Sequence, residues 1–220
     1  MSHHRECVEA AREFRRSGDL ILAGGYYTAS SHARFARSWR FIRDDPLENI
    51  SPGEIGYGVE SLLAAALCYR LAGGMERCRT RCEQGIRFIE DANENEPGWH
   101  EGGTHARAGL AHELIGDFRL YGDLGNHEEE YATARREYET VRAEYPAESP
   151  EIAWQAETEF APTVSILIEL ARSTDYGLDE ETATQIRDVS LIDRIEYKRD
   201  HYEAIIEEVL ADGNWESDVI

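Results

Sequence analysis

A chain of 220 residues with 41% hydrophobic side chains can bury a sizeable core, as one domain or two small ones. Its 44 acidic and 23 basic residues give a net charge of −21, yet 11 Tyr, 6 Phe and 4 Trp exclude the aromatic-poor composition of a disordered chain. No stretch approaches the roughly 18 apolar residues of a membrane span, and residues 1–6 open no apolar signal-like run, so no membrane partner and a cytoplasmic location are expected.

Residues 5–17 read as a helix with Val8, Ala11 and Phe14 inward, closed by Gly18 and Asp19. Residues 20–38 form its partner, and the charged stretch 41–50, with Pro46, reads as a loop or a short extra helix. Ser51, Pro52 and Glu54 make a helix start, with Ser as the cap, Pro at the first position and Glu three residues on. That helix carries Leu62, Leu67 and Leu71 and breaks at Gly73 and Gly74; residues 75–91 return, and 93–103 form a loop. Residues 104–124 and 127–144 form a third hairpin about Gly125 and Asn126. Ser149 and Pro150 open a helix to about Arg172, kinked at Pro162. Asp179 caps a helix through Asp188, and 191–211 forms the last, with Ile195, Tyr202, Ile206 and Leu210 inward. No alternating β pattern of useful length occurs, so the chain is expected to be all-α.

One spaced pattern recurs. Ala11, Phe14, Gly18, Ala23, Tyr27 and Ser30 match Ala66, Tyr69, Gly73, Cys78, Cys82 and Gly85 interval for interval. Small and aromatic residues three or four apart share a helical face, and the Gly between them turns one helix into the next. In the third hairpin, Phe118, Tyr121 and Gly125 keep the first half of the spacing; Glu130, Ala134 and Glu137 keep part of the second. These residues resemble the tetratricopeptide repeat family. The similarity covers residues 4–37 and 59–92, more weakly 111–144, with about 20 residues between the first two units and further C-terminal helices over 149–211. Early Trp and Leu of the family signature are missing from both matches. The resemblance implies one domain over 1–220: antiparallel helical hairpins stacked as a superhelix, with a groove lined by the first helix of each unit.

By position, the resemblance places Val8, Arg12, Arg15 and Arg16 in that groove from the first unit, Glu60, Leu63, Leu67, Arg70 and Leu71 from the second, and His112, Ile115 and Arg119 from the third. Five of these twelve residues are Arg. The charge is uneven: residues 1–90 hold 13 Arg and 12 acids, whereas 91–220 hold 10 basic residues and 32 acids. Arg34, Arg37, Arg40 and Arg43 recur every third residue, and Arg77, Arg79, Arg81 and Arg87 share a later helix. Lys198 is the sole lysine. This composition resembles that of haloarchaeal cytosolic proteins, rich in Asp and Glu and poor in Lys.

An Arg fork pairs bidentately with carboxylate or phosphate. The sequence therefore supports a protein-interaction scaffold whose groove takes an acidic peptide segment or C-terminus through Arg12, Arg15, Arg16, Arg70 and Arg119, with Leu63 and Leu67 giving apolar contact. The alternative is that these Arg pair with the chain's own acids. At molar salt, where the Debye length is about 3 Å, only short geometric contacts survive. A chain of charge −21 repels a phosphate backbone, so no nucleic-acid partner is expected. Two other readings stay open. His100, His105 and His112 offer imidazoles for a metal-dependent helical-bundle enzyme, although no Glu has His three residues after it, and no cofactor is expected. The near-neutral N-terminal part and the acidic C-terminal part also suit a homo-oligomer. Cys78 and Cys82, one turn apart, are expected to be small buried apolar residues.

Overall fold

The computed structural model describes residues 3–44, 53–95, 101–156, 158, 160, 165–174, 176, 178–213 and 215, and every regular element among them is helical. The elements are α1 (His3–Arg16), α2 (Leu20–Asp44), α3 (Gly53–Leu71), α4 (Met75–Asn95), α5 (Glu101–Gly122), α6 (His127–Glu144), α7 (Pro150–Ala156), α8 (Ser165–Arg172), α9 (Glu180–Thr184), α10 (Leu191–Tyr197) and α11 (Glu203–Asp212). The backbone widens into π turns at Gln185–Val189 and Lys198–Tyr202. The fold is all-α. No described helix is long and apolar enough to cross a membrane. The proposed cap at Ser51 and Pro52, the kink at Pro162, and His100 fall outside the described residues.

The first two hairpins turn in the same way. Gly18 (φ 80°) donates its N–H to the Arg15 carbonyl at 3.0 Å, and Asp19 donates to Phe14 at 2.9 Å. Gly73 (φ 73°) donates to Arg70 at 3.0 Å, and Gly74 to Tyr69 at 2.8 Å. Both are Schellman ends, in which a left-handed residue lets the chain recapture carbonyls the helix leaves open. The third hairpin turns two residues early: Asp123 (φ 50°) donates to Leu120 at 3.3 Å, and Leu124 donates to Arg119 at 2.9 Å. The left-handed position expected at Gly125 is thus reached first at Asp123, and Gly125 (φ 72°) and Asn126 (φ 61°) extend the turn.

From α1 to α6 each helix packs on the next, and α3 also meets α5. α7 lies on α5 and α6, α10 on α6, and α8 on α11. A single apolar cluster runs through all of these contacts, from Ala11 to Trp215. Glycines set the approach: a Cβ on Gly85 of α4 would overlap the Phe118 ring, and one on Gly116 or Gly109 of α5 the Tyr131 or Tyr138 ring. Replacing Gly85 by Ala is therefore expected to destabilise the fold by about 1–3 kcal/mol through overpacking. Gly25→Ala, whose Cβ meets nothing closer than 4.0 Å, should leave the melting temperature unchanged or raised. Thermal unfolding of the two variants side by side checks this.

The expected helix from Pro150 to Arg172 is not continuous; α7 stops at Ala156 and α8 starts at Ser165. The cause is local. Thr158 donates both its N–H and its Oγ1 to the Gln155 carbonyl, each at 2.9 Å, and its Oγ1 then accepts from the Phe160 N–H at 3.3 Å. A Thr hydroxyl that competes in this way closes a turn in place of a helix. Asp179 caps α9 as expected, its carboxylate accepting from the Thr182 N–H at 2.7 Å.

Candidate anion-binding cavity

Three N-terminal helices present one polar wall each. On α1, Val8, Arg12 and Arg15 are four and three residues apart and so share a face; on α2, Tyr27 and Arg34 are two turns apart; on α3, Tyr57, Glu60, Ser61 and Ala64 repeat the spacing. Facing them are Gln155 of α7, Ser165, Ile168, Glu169 and Arg172 of α8, Arg187 and Asp188, and the Trp215 ring. Together they enclose a cavity of about 590 Å³, within the range of ligand sites. Five arginines line it against three acids.

Its arginines differ in how far they are satisfied. Arg15, with only 6% of its side chain exposed, donates Nη1 to Glu169 at 3.3 Å and lies 4.2 Å from the Trp215 ring centre; its buried Nε has no acceptor among the described residues. Arg34 donates to Glu54 at 3.0 Å and lies over Tyr57 at 4.8 Å. Arg172 pairs with Glu180, and Arg187 with the adjacent Asp188 at 2.9 Å. Arg12 makes no hydrogen bond or ion pair among the described residues. The buried Arg15 with its open Nε, and the exposed Arg12 beside it, leave guanidinium donors that a carboxylate or phosphate can take.

Glu60 sits in the same wall. Burial and the charge of Glu169 push its pKa up to about 7, while the hydroxyl of Ser165, which donates to Oε1, holds it down. A folded pKa above the unfolded value of 4.5 means that the native state keeps the proton longer. Stability from this group is complete below pH 4.5 and is lost as the pH rises to about 7. Denaturant titrations of wild type and Glu60→Gln across this window should show the wild type losing stability relative to the variant; parallel curves would refute the assignment.

Of the seven residues expected to bind a peptide, the structure gathers Arg12 and Arg15 and separates the rest. Arg16 is exposed on α1 away from the cavity. Leu63 and Leu67 are fully buried core residues, because α3 is covered by α2, α4 and α5, so they offer a ligand no surface. Arg70 donates to the carbonyls of Leu120 and Tyr121, at 2.8 and 2.9 Å, and ties down the C-terminal end of α5. Arg119 is held by Glu130 at 3.1 Å. The cavity that Arg12 and Arg15 line lies between the first three helices and the C-terminal segment. Arg34 was visible as part of a periodic Arg run. Arg172, Arg187 and Trp215 carry no sequence signal, since they reach the site only through tertiary packing.

Of the candidate histidines, His105 and His112 are described, and each pairs with a different acid. His105 Nδ1 lies 2.6 Å from Glu137, and His112 Nδ1 lies 2.8 Å from Glu130. No group of three or more His, Cys, Asp or Glu that could hold a metal ion occurs among the described residues. Cys78 and Cys82 are both fully buried free thiols, the former directed at the Tyr121 carbonyl at 3.3 Å.

A second polar cluster lies inside the core. On α5, Gly109, Glu113, Gly116 and Asp117 share one face. The two glycines admit the rings of Tyr138 and Tyr131, whose hydroxyls donate to Glu113 at 2.6 Å and Asp117 at 2.9 Å. Arg194 donates to Glu113 and to Gln155, each at 2.8 Å; Lys198 donates to Glu113 at 2.8 Å and to Asp117 at 2.6 Å. All four charged groups are buried. Burial alone would raise Glu113, but Arg194 and Lys198 outweigh it and hold the carboxyl down at about 2. Asp117, which shares only Lys198, is pushed up by burial. Cations and carboxylates match two for two, so this cluster has no unmet charge to offer a ligand.

Comparison with known protein families, with curated proteins and with solved structures gives no match to this chain.

Proposed function

We propose that the chain is an interaction module whose cavity takes an acidic peptide segment or a peptide C-terminus. The observation that carries this reading is the convergence of Arg12, Arg15, Arg34, Arg172 and Arg187 on one cavity, in a chain with 44 acids and 23 bases. Within it, Arg12 makes no ion pair and the buried Nε of Arg15 has no acceptor among the described residues. Tyr57, Trp215 and Ile168 supply the apolar contact. The two matching hairpins support a tetratricopeptide-like array as the scaffold, and the Lys-poor acidic composition supports a halophilic cytoplasm as its setting. Recognition there must work through short contacts, since at about 1 M salt charges further apart than about 3 Å are screened.

A labelled hexaglutamate peptide, titrated against the chain in about 1 M potassium chloride, tests the reading against hexaglutamine of the same length. Saturable binding of the glutamate peptide alone is expected. Equal binding of both peptides, or of neither, would reject carboxylate recognition.

A further inference from the structure

The C-terminal segment does more than close the cavity. It places on Arg15 what an acidic, aromatic ligand would place there: the Glu169 carboxylate on one edge and the Trp215 ring over the face. Glu169 is 154 residues away in sequence, so only the packing of α8 against the first hairpin brings it there. The mimicry is incomplete. Glu169 reaches a single nitrogen, at 3.3 Å, which is long for a charge-assisted bond, and the buried Nε of Arg15 is left without an acceptor. A fork that has one edge half-used and one donor open is better satisfied by a carboxylate that meets both nitrogens side by side.

We infer that Glu169 and Trp215 act as a built-in competitor for the cavity, and that an incoming peptide carboxylate takes Arg15 in bidentate fashion by displacing Glu169. The inference rests on the reading of the cavity as an acidic-peptide site. Glu169 has an alternative setting once displaced: it lines the same cavity as Arg12 and Arg172. The competitor sets a threshold, so weakly acidic segments are refused and segments that supply a well-oriented carboxylate are admitted.

The test is hexaglutamate binding by fluorescence anisotropy to the full chain, to Glu169→Gln and to Arg15→Gln, with thermal unfolding of each. Glu169→Gln removes the competing charge while keeping the shape, and is expected to tighten binding about ten-fold. Arg15→Gln should lose it. Should Glu169→Gln fail to fold, Glu169→Asp, one methylene short of its present contact, replaces it and is expected to shift affinity in the same direction. Binding by the wild type that is unchanged or weakened in the folded Glu169 variant overturns the competitor but leaves the cavity reading. No binding by either the wild type or the Glu169 variant overturns both.

Discussion

Lys198→Met is expected to lower the melting temperature by roughly 6–20 °C at pH 7, from a cost of about 3–5 kcal/mol at about 2–4 °C per kcal/mol for a chain of this size. Lys198 is 3% exposed on its side chain and donates to both Glu113 and Asp117. Methionine matches its length and removes its charge. Glu113 keeps Arg194, but Asp117 is left with the Tyr131 hydroxyl alone in a site without water contact. An uncompensated buried carboxylate costs far more than the intact pair contributes. Asp117 is already pushed up by burial, so the variant should recover part of its stability as acid protonates that carboxyl. The double substitution Lys198→Met with Asp117→Leu should regain part of the loss, because it removes the unpaired carboxylate while leaving the Tyr131 hydroxyl without its acceptor. Circular dichroism melts of the three proteins decide this; a Lys198→Met protein that melts with the wild type would mean that the cluster does not pin α10 to α5.

The second large effect concerns the cavity. Arg12→Ala with Arg15→Ala should weaken hexaglutamate binding by at least about 100-fold, since each guanidinium that meets a carboxylate contributes about 1.5–3 kcal/mol. Arg12 alone is the cleaner probe. It has no partner among the described residues, so Arg12→Ala should cost about ten-fold in affinity while the melting temperature stays put. Arg16→Ala is the control: it is exposed on the same helix, outside the cavity wall, and should bind as the wild type does. Calorimetric titrations at fixed salt read all three. If Arg16→Ala were as damaging as Arg12→Ala, the loss would reflect net charge and not a site.

The first two hairpins were legible because their turns use Gly, the residue that reaches a left-handed φ without strain, at matching positions. The third misled by two residues, since Asp123 also accepts that conformation and sits before the more conspicuous Gly125. The stretch after Pro150 was misread because helical periodicity does not reveal a Thr that turns back on its own helix. On the site, Arg12 and Arg15 were legible from their spacing on α1. Leu63 and Leu67 were misplaced because the repeat pattern gives one groove face per first helix, whereas α3 is covered all round. The half of the cavity that comes from α8, Arg187 and Trp215 depends on contacts across more than 150 residues, which no local pattern carries. Glu113 and Asp117 were hidden for a different reason. A carboxylate in a helix normally marks a solvated face, and only the meeting of α5 with Arg194 and Lys198 makes these two a core feature.

The most direct test of the cavity as an acidic-peptide site is to place the peptide physically. A hexaglutamate carrying a terminal benzophenone is bound to the full chain at about 1 M salt, irradiated, and the attachment points are read by mass spectrometry. The account predicts attachment to cavity-lining positions such as Val8, Tyr57 and Ile168, lost when unlabelled hexaglutamate is in excess. Attachment spread over exposed Arg on other faces, or concentrated away from α1, α3 and α8, would contradict it.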